Sequence, residues 1–144
     1  MNEQELRIDR EGSWYWEGQE MTRLDIVKMF AENLIKDADG GYQVIMDGQT
    51  HPVLVEDVPF VIREVEIEEN DVTMILKDGR QLAMPDGEIV LKGDVPYLSL
   101  FQGLDAKFSR HAWRRFLDYI NESEIGFKLF AGGRVWPLVT GEIP

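Results

Sequence analysis

The sequence predicts an α+β fold: two related strand-helix-hairpin lobes with a central antiparallel meander between them. Three observations carry this reading. Short runs rich in β-branched and aromatic residues alternate with Asp-Gly and Asn-Asp reversals, two segments show helical spacing, and one stretch of the chain repeats another.

The repeat is the most informative of the three. Gly41 to Leu54 aligns without gaps on Gly126 to Val139, 85 residues later. Both copies keep an opening glycine, an aromatic (Tyr42, Phe127), a glycine at the hairpin tip (Gly48, Gly133) and a proline followed by two apolar residues (Pro52, Pro137). Trp16-Glu17-Gly18 and Phe101-Gln102-Gly103 stand at the same offset, and Thr22-Arg23 and Ser109-Arg110 each precede a helical segment. Three elements recurring in one order indicate duplication, and a seam between two related halves is a natural place for a ligand cleft.

Taken in order, Leu6 to Ile8 and Trp14 to Trp16 read as a hairpin turning at Asp9 to Gly12. Thr22 caps a helix whose apolar positions are Leu24, Val27, Phe30, Ala31, Leu34 and Ile35, ending near Asp37 to Gly41. From Tyr42 to Leu91 the meander reverses at Asp47-Gly48, Asn70-Asp71, Asp78-Gly79 and Asp86-Gly87. A strand near Leu98 to Phe101, a second helix from Ser109 or Arg110 to about Asn121, and a closing hairpin from Phe127 to Val139 complete the chain. No Pro/Gly/Ser-rich linker interrupts it. The expected organisation is an N-terminal repeat lobe at 1–58 and a C-terminal lobe at 59–144 holding meander and second repeat, packed as one unit.

At 44% apolar residues, the 144-residue chain can fill a core. Its formal net charge of -12 repels phosphate backbones and anionic membrane surfaces, so neither a nucleic acid polymer nor a membrane is an expected partner. With no cysteine there is no disulfide, thiolate metal site or cysteine nucleophile. The polar start and the lack of a long apolar run make the cytoplasm the expected address. Glu64, Glu66, Glu68, Glu69 and Asp71 read as a solvated strand face.

Several segments together resemble a known family: Arg7 to Gly12 with Trp14, Glu17-Gly18, Met29-Phe30-Ala31, Val55 to Phe60, Pro96-Tyr97, Gly103 to Ala106, and Gly132-Gly133 with Pro137-Leu138. In this order they resemble the bacterial family DUF1285. The resemblance implies a duplicated core, a second half superficially like pleckstrin-homology folds, and a site at the seam for a nucleotide-based ligand, with a signalling role. The chain departs from the family pattern in being somewhat short, and at Val58 and His111, where alanine and proline are expected; His111 lies beside the implied site.

Lys107, Arg110, His111, Arg114 and Arg115 form a dense basic group at the start of the second helix. Free N–H groups and the helix dipole there would bind phosphate, with Lys107 and Arg110 adding charge-assisted bonds and Arg23 a second contact from the first copy. Glu56 and Asp57 point to opposite faces of an extended segment, which argues against a paired acid and base and leaves them for polar recognition of a ligand. Trp14, Trp16, Trp113 and Trp136 read first as core or interface anchors; Tyr97, Trp136 or Trp14 at the seam would stack on a base.

His51 and His111 lack partners at metal-ligand spacing, and neither a nucleophile elbow nor a phosphate-cradling glycine loop is present. No catalytic residue, metal or cofactor is therefore expected, and the protein is not expected to be an enzyme. Two functions from different classes follow. One is a sensor that binds an anionic, nucleotide-like small molecule between its halves; the other is an interaction module whose exposed strands dock a partner protein or a second copy of the chain.

Overall fold

The computed structural model describes residues 5–141. The first lobe contains β1 (Leu6–Ile8), β2 (Trp14–Trp16), β3 (Gln19–Glu20), α1 (Leu24–Glu32), β4 (Leu34–Lys36), β5 (Tyr42–Met46) and β6 (Gln49–Val55). These strands form one sheet in the order β3-β2-β1-β6-β5-β4. Local chemistry sets the β1–β2 turn: Asp9 accepts from the backbone N–H groups of Glu11 and Ser13 and from the Tyr15 hydroxyl. Gly12 takes the positive φ of 83° that closes the turn.

The second lobe follows with β7 (Phe60–Ile67), β8 (Val72–Leu76), β9 (Gln81–Ala83), β10 (Ile89–Lys92), β11 (Val95–Ser99), β12 (Asp105–Phe108), α2 (Arg110–Arg114), β13 (Ile120–Ser123), β14 (Gly126–Ala131) and β15 (Arg134–Thr140). Its sheet runs β13-β14-β15-β10-β11-β12-β7-β8-β9. Read from β12, the run β12-β11-β10-β15-β14-β13 repeats the strand order of the first sheet. The hairpins agree in register, since Tyr42 pairs with Val53 and Phe127, 85 residues on, pairs with Leu138. Each copy also contains one parallel pair, Leu6 with Val53 and Ile89 with Leu138. The chain is thus an α+β protein of two β-rich lobes related by duplication, and β7–β9 is an insertion joined to β12 by a parallel pairing.

Four sequence expectations are corrected. Leu34 and Ile35 are not helical: α1 stops at Glu32, the Asn33 side chain donates to the Met29 carbonyl, and Leu34 pairs with Val44. Arg23, rather than Thr22, occupies the N-cap, with no side-chain cap bond. The second helix has only five residues because a 3-10 turn at Leu117–Tyr119 follows and β13 takes Ile120 and Asn121 into the sheet. The stretch Tyr42 to Leu91 is no single meander, since β5–β6 lie in the first sheet, β7–β9 extend the second, and β10 begins the second repeat.

One continuous core spans both lobes, including Ile8, Val44, Ile62, Leu76, Leu129 and Trp136. Trp14 meets Phe30 edge-on and draws α1 onto the first sheet, while Phe108, Trp113 and Phe116 pack mutually beneath α2. No helix among the described residues is long and apolar enough to cross a membrane.

Candidate functional site

A cavity of about 700 Å³ opens where the two lobes meet, larger than a hollow of about 250 Å³ beneath α1. The first lobe contributes Arg10 and Glu11 from the β1–β2 turn. The rest of the wall comes from Val61 and Arg63 on β7, Lys77 after β8, Val95 on β11, Lys107 and Phe108 on β12, and Ser109 with Arg110 at the start of α2.

Each cation is placed by an identifiable local device. The β1–β2 turn docks so closely on β7 that a Cβ on Gly12 would sit 2.7 Å from Val61 Cγ2. Lys77 Nζ holds the turn there, donating to the Glu11 carbonyl at 2.7 Å and to Ser13 Oγ at 3.0 Å. Arg63 is the extra residue of a β-bulge: Ile62 faces Leu76 and Glu64 faces Ile75, so nothing opposes Arg63. Bulges re-aim a side chain in this way. Ser109 caps α2 by accepting from the Ala112 N–H and also donates to the Arg63 carbonyl, which sets Arg110 beside Arg63.

Lys107 pairs with Val61 across the parallel strands and is largely buried. Its Nζ donates to Asp57 Oδ2 at 2.9 Å, and the Tyr97 hydroxyl donates to the same oxygen at 2.9 Å. Partial burial alone would raise the Asp57 carboxyl, yet the bonds from Lys107 and Tyr97 and the charges of Lys107 and Arg10 outweigh it, holding the group below its ordinary value. Burial, reinforced by the bond to Asp57, pushes the Tyr97 phenol up to about 12.

Arg10, Arg63 and Arg110 make no ion pair among the described residues. Most lysines also lack an ion pair there, so what distinguishes these three is their place: of the four arginines without one, three stand on this single wall. Charges of one sign in a concave wall reinforce each other's potential and attract a counter-ion.

The residues expected from sequence divide into two groups. Lys107 and Arg110 line the cavity, and Asp57 stands behind it as the partner of Lys107, with Tyr97 donating to the same carboxylate. Glu56 turns away to Arg7 in an ion pair. Arg23 is exposed and paired with Asp25, so no second phosphate contact comes from the first helix. The stacking role expected of Trp136 is excluded by its complete burial, with its indole N–H donating to the Pro85 carbonyl at 2.7 Å. Trp14 is likewise a core residue. The free helix N-terminus also has to be given up, because α2 is a single short turn already capped by Ser109. Of the other basic residues there, His111 and Arg115 both bond Glu64. The hydrogen bond from His111, foremost among several influences, holds the Glu64 carboxyl below its usual range.

Sequence reasoning missed Arg10, Arg63 and Lys77 as wall residues. One signal was present: Arg63 directly precedes the acidic alternation of Glu64, Glu66 and Glu68. Among the described residues, no group of three or more His, Asp or Glu side chains is gathered as metal ligands.

Residues 1–58 match the family described as domain of unknown function (DUF1285), N-terminal domain. The chain belongs to the DUF1285 family. Two crystal structures of DUF1285 proteins share its fold. The protein from Silicibacter pomeroyi is 23% identical with a TM-score of 0.80, over 94% of this chain and 80% of that one. The protein from Shewanella baltica is 26% identical with a TM-score of 0.70, over 81% of this chain and 92% of that one. No curated protein matches the chain. Within the matched DUF1285 N-terminal domain, Arg10 and Glu11 are the residues that reach the cavity.

Proposed function

We propose that this DUF1285 protein is a non-enzymatic binding protein that takes a small anionic, phosphate-bearing ligand into the cavity between its lobes. The observation that supports it is the set of three arginines, Arg10, Arg63 and Arg110, held without carboxylate partners around one hollow in an acidic protein. The volume suits a ligand of nucleotide size, and Val61, Val95 and Phe108 offer an apolar wall for an organic moiety. A nucleotide-based ligand and a signalling role are what the family resemblance adds, and the cytoplasm is the address expected from the sequence. The pleckstrin-homology-like character implied for the second lobe belongs to the same reading, and a backbone comparison of residues 60–140 with such folds tests it.

Differential scanning fluorimetry against nucleotides and anionic metabolites is the direct experiment. A ligand at a hundred times its Kd stabilises by about 2.7 kcal/mol, enough to move the midpoint by several degrees. The shift should vanish in Arg110→Ala; no shift with any compound, or one unchanged in that variant, overturns the reading.

A second reading has its own observation. Ile125 is 86% exposed, and Phe127 and Phe130 are 51% and 54% exposed, beside the free edge strand β13. Such an edge can dock a partner protein or a second copy of the chain. Light scattering at micromolar concentration would favour this reading if the protein self-associates and Phe130→Ser abolishes the association.

A further inference from the structure

We infer that the ligand class of this cavity is a condensed phosphate, with at least two phosphoryl groups in a row, rather than a single phosphate or carboxylate. The inference rests on the anion-binding reading and sharpens it by charge. Arg10, Arg63, Lys77, Lys107 and Arg110 put five cations on the wall. Glu11 is the lining carboxylate and Asp57 neutralises Lys107, which leaves three positive charges without a counter-charge. A phosphomonoester brings about −1.5 to −2 at pH 7, so one cation stays uncompensated; a second phosphoryl group brings the ligand to about −3 and matches the wall.

Placement agrees with the count. Arg63 and Arg110 are neighbours through the Ser109 hydroxyl, and Lys107 lies one strand residue before Phe108 in the same short stretch. Lys77 and Arg10 arrive from the other side, where the β1–β2 turn rests on Val61. The cations therefore form two banks, one from β12, α2 and the bulge, the other from β8 and the first lobe. Guanidinium groups bind phosphoryl oxygens through paired N–H donors, so neighbouring phosphoryl groups can each engage a different bank. A single phosphate leaves part of the charge of the wall unmatched.

Isothermal titration of the full chain at constant ionic strength with orthophosphate, pyrophosphate and tripolyphosphate decides this. Pyrophosphate and tripolyphosphate should bind about tenfold more tightly than orthophosphate or beyond, and Arg63→Gln should lose about tenfold in pyrophosphate affinity. Arg114→Gln removes the same charge from outside the cavity wall and should leave affinity unchanged. Equal affinity for all three anions, lost in Arg63→Gln, overturns the condensed-phosphate class while the anion-binding reading survives. Binding of none of the anions, with a midpoint shift by an uncharged compound, overturns both. Equal losses in Arg63→Gln and Arg114→Gln reduce the effect to overall charge and overturn the site. Circular dichroism of each variant verifies that it is folded.

Discussion

Lys107 extends from β12 to Asp57, in the segment that joins the two sheets, and its Nζ donates to Oδ2 at 2.9 Å. The pair is about four-fifths buried on each side, with side-chain exposures of 18% and 19%. It is at once a clasp between lobes and a brake on the positive field of the cavity.

Asp57→Asn should therefore act in opposite directions on stability and on binding. Urea denaturation should show a loss of about 1.5–3 kcal/mol, the range for a charged hydrogen bond, while pyrophosphate affinity rises because Lys107 is released. The native carboxyl titrates below its ordinary value of 3.8. Its contribution is present above that value and is lost as pH falls through the lower folded one. Acid unfolding of Asp57→Asn should be correspondingly less steep in that window; an unchanged acid limb would contradict the assignment.

Tyr97 provides the alkaline counterpart. Its folded value of about 12 exceeds the ordinary 10.0, so its contribution is fully present below pH 10 and is lost as pH rises through 12. In a phenolate absorbance titration Tyr15, Tyr42 and Tyr97 should all ionise above the ordinary range, Tyr97 last, and Tyr97→Phe should remove that last step.

Gly12 and Gly18 have the same φ of 83°, yet only Gly12 has neighbours within 4 Å. Gly18→Ala should cost about 1 kcal/mol from the left-handed backbone alone. Gly12→Ala should cost more, up to about 3 kcal/mol, and also weaken pyrophosphate binding, because the turn carrying Arg10 must lift away from Val61. Equal effects in thermal melts and titrations would show that the docking contact is unimportant.

Ser109→Ala removes both the α2 cap and the bond to the Arg63 carbonyl, and should cost about 1 kcal/mol. Thr22→Ala, at the position that caps nothing, should stay within about 0.5 kcal/mol. Guanidinium denaturation of the two variants side by side measures the difference.

Trp136→Ala should cost about 3–5 kcal/mol, the range for deleting a fully buried aromatic, and strands the Pro85 carbonyl. Pyrophosphate affinity of the folded fraction should be unchanged, since the ring touches no part of the cavity. A selective loss of binding would restore the tryptophan to the site.

The duplication was legible because hairpin chemistry is local. A glycine tip, a flanking aromatic and a Pro at fixed spacing specify register, and both hairpins obey the 85-residue offset. The parallel pairs of β1 with β6 and β10 with β15 left no comparable trace, because they join residues far apart in sequence. Leu34 and Ile35 continue the helical spacing of α1, yet their pairing with β5 prevails over propensity. At the site, Lys107 and Arg110 were readable as a dense basic group. Arg10 was not, because it comes from the other lobe, and Arg63 was not, because a bulge exists only once two strands have chosen their register.

The insertion at β7–β9 changes what the two copies can do alone. In the first copy the outer strand β3 is only two residues, too short to recruit another chain. Its counterpart β12 has four residues and is covered along its length by β7. Excising 60–83 would thus not recover a simpler symmetric ancestor. It would uncover hydrogen-bonding backbone on a strand that ends in buried Phe108, so the segment that carries Arg63 and Lys77 also covers what would otherwise be a further open edge in addition to that of β13.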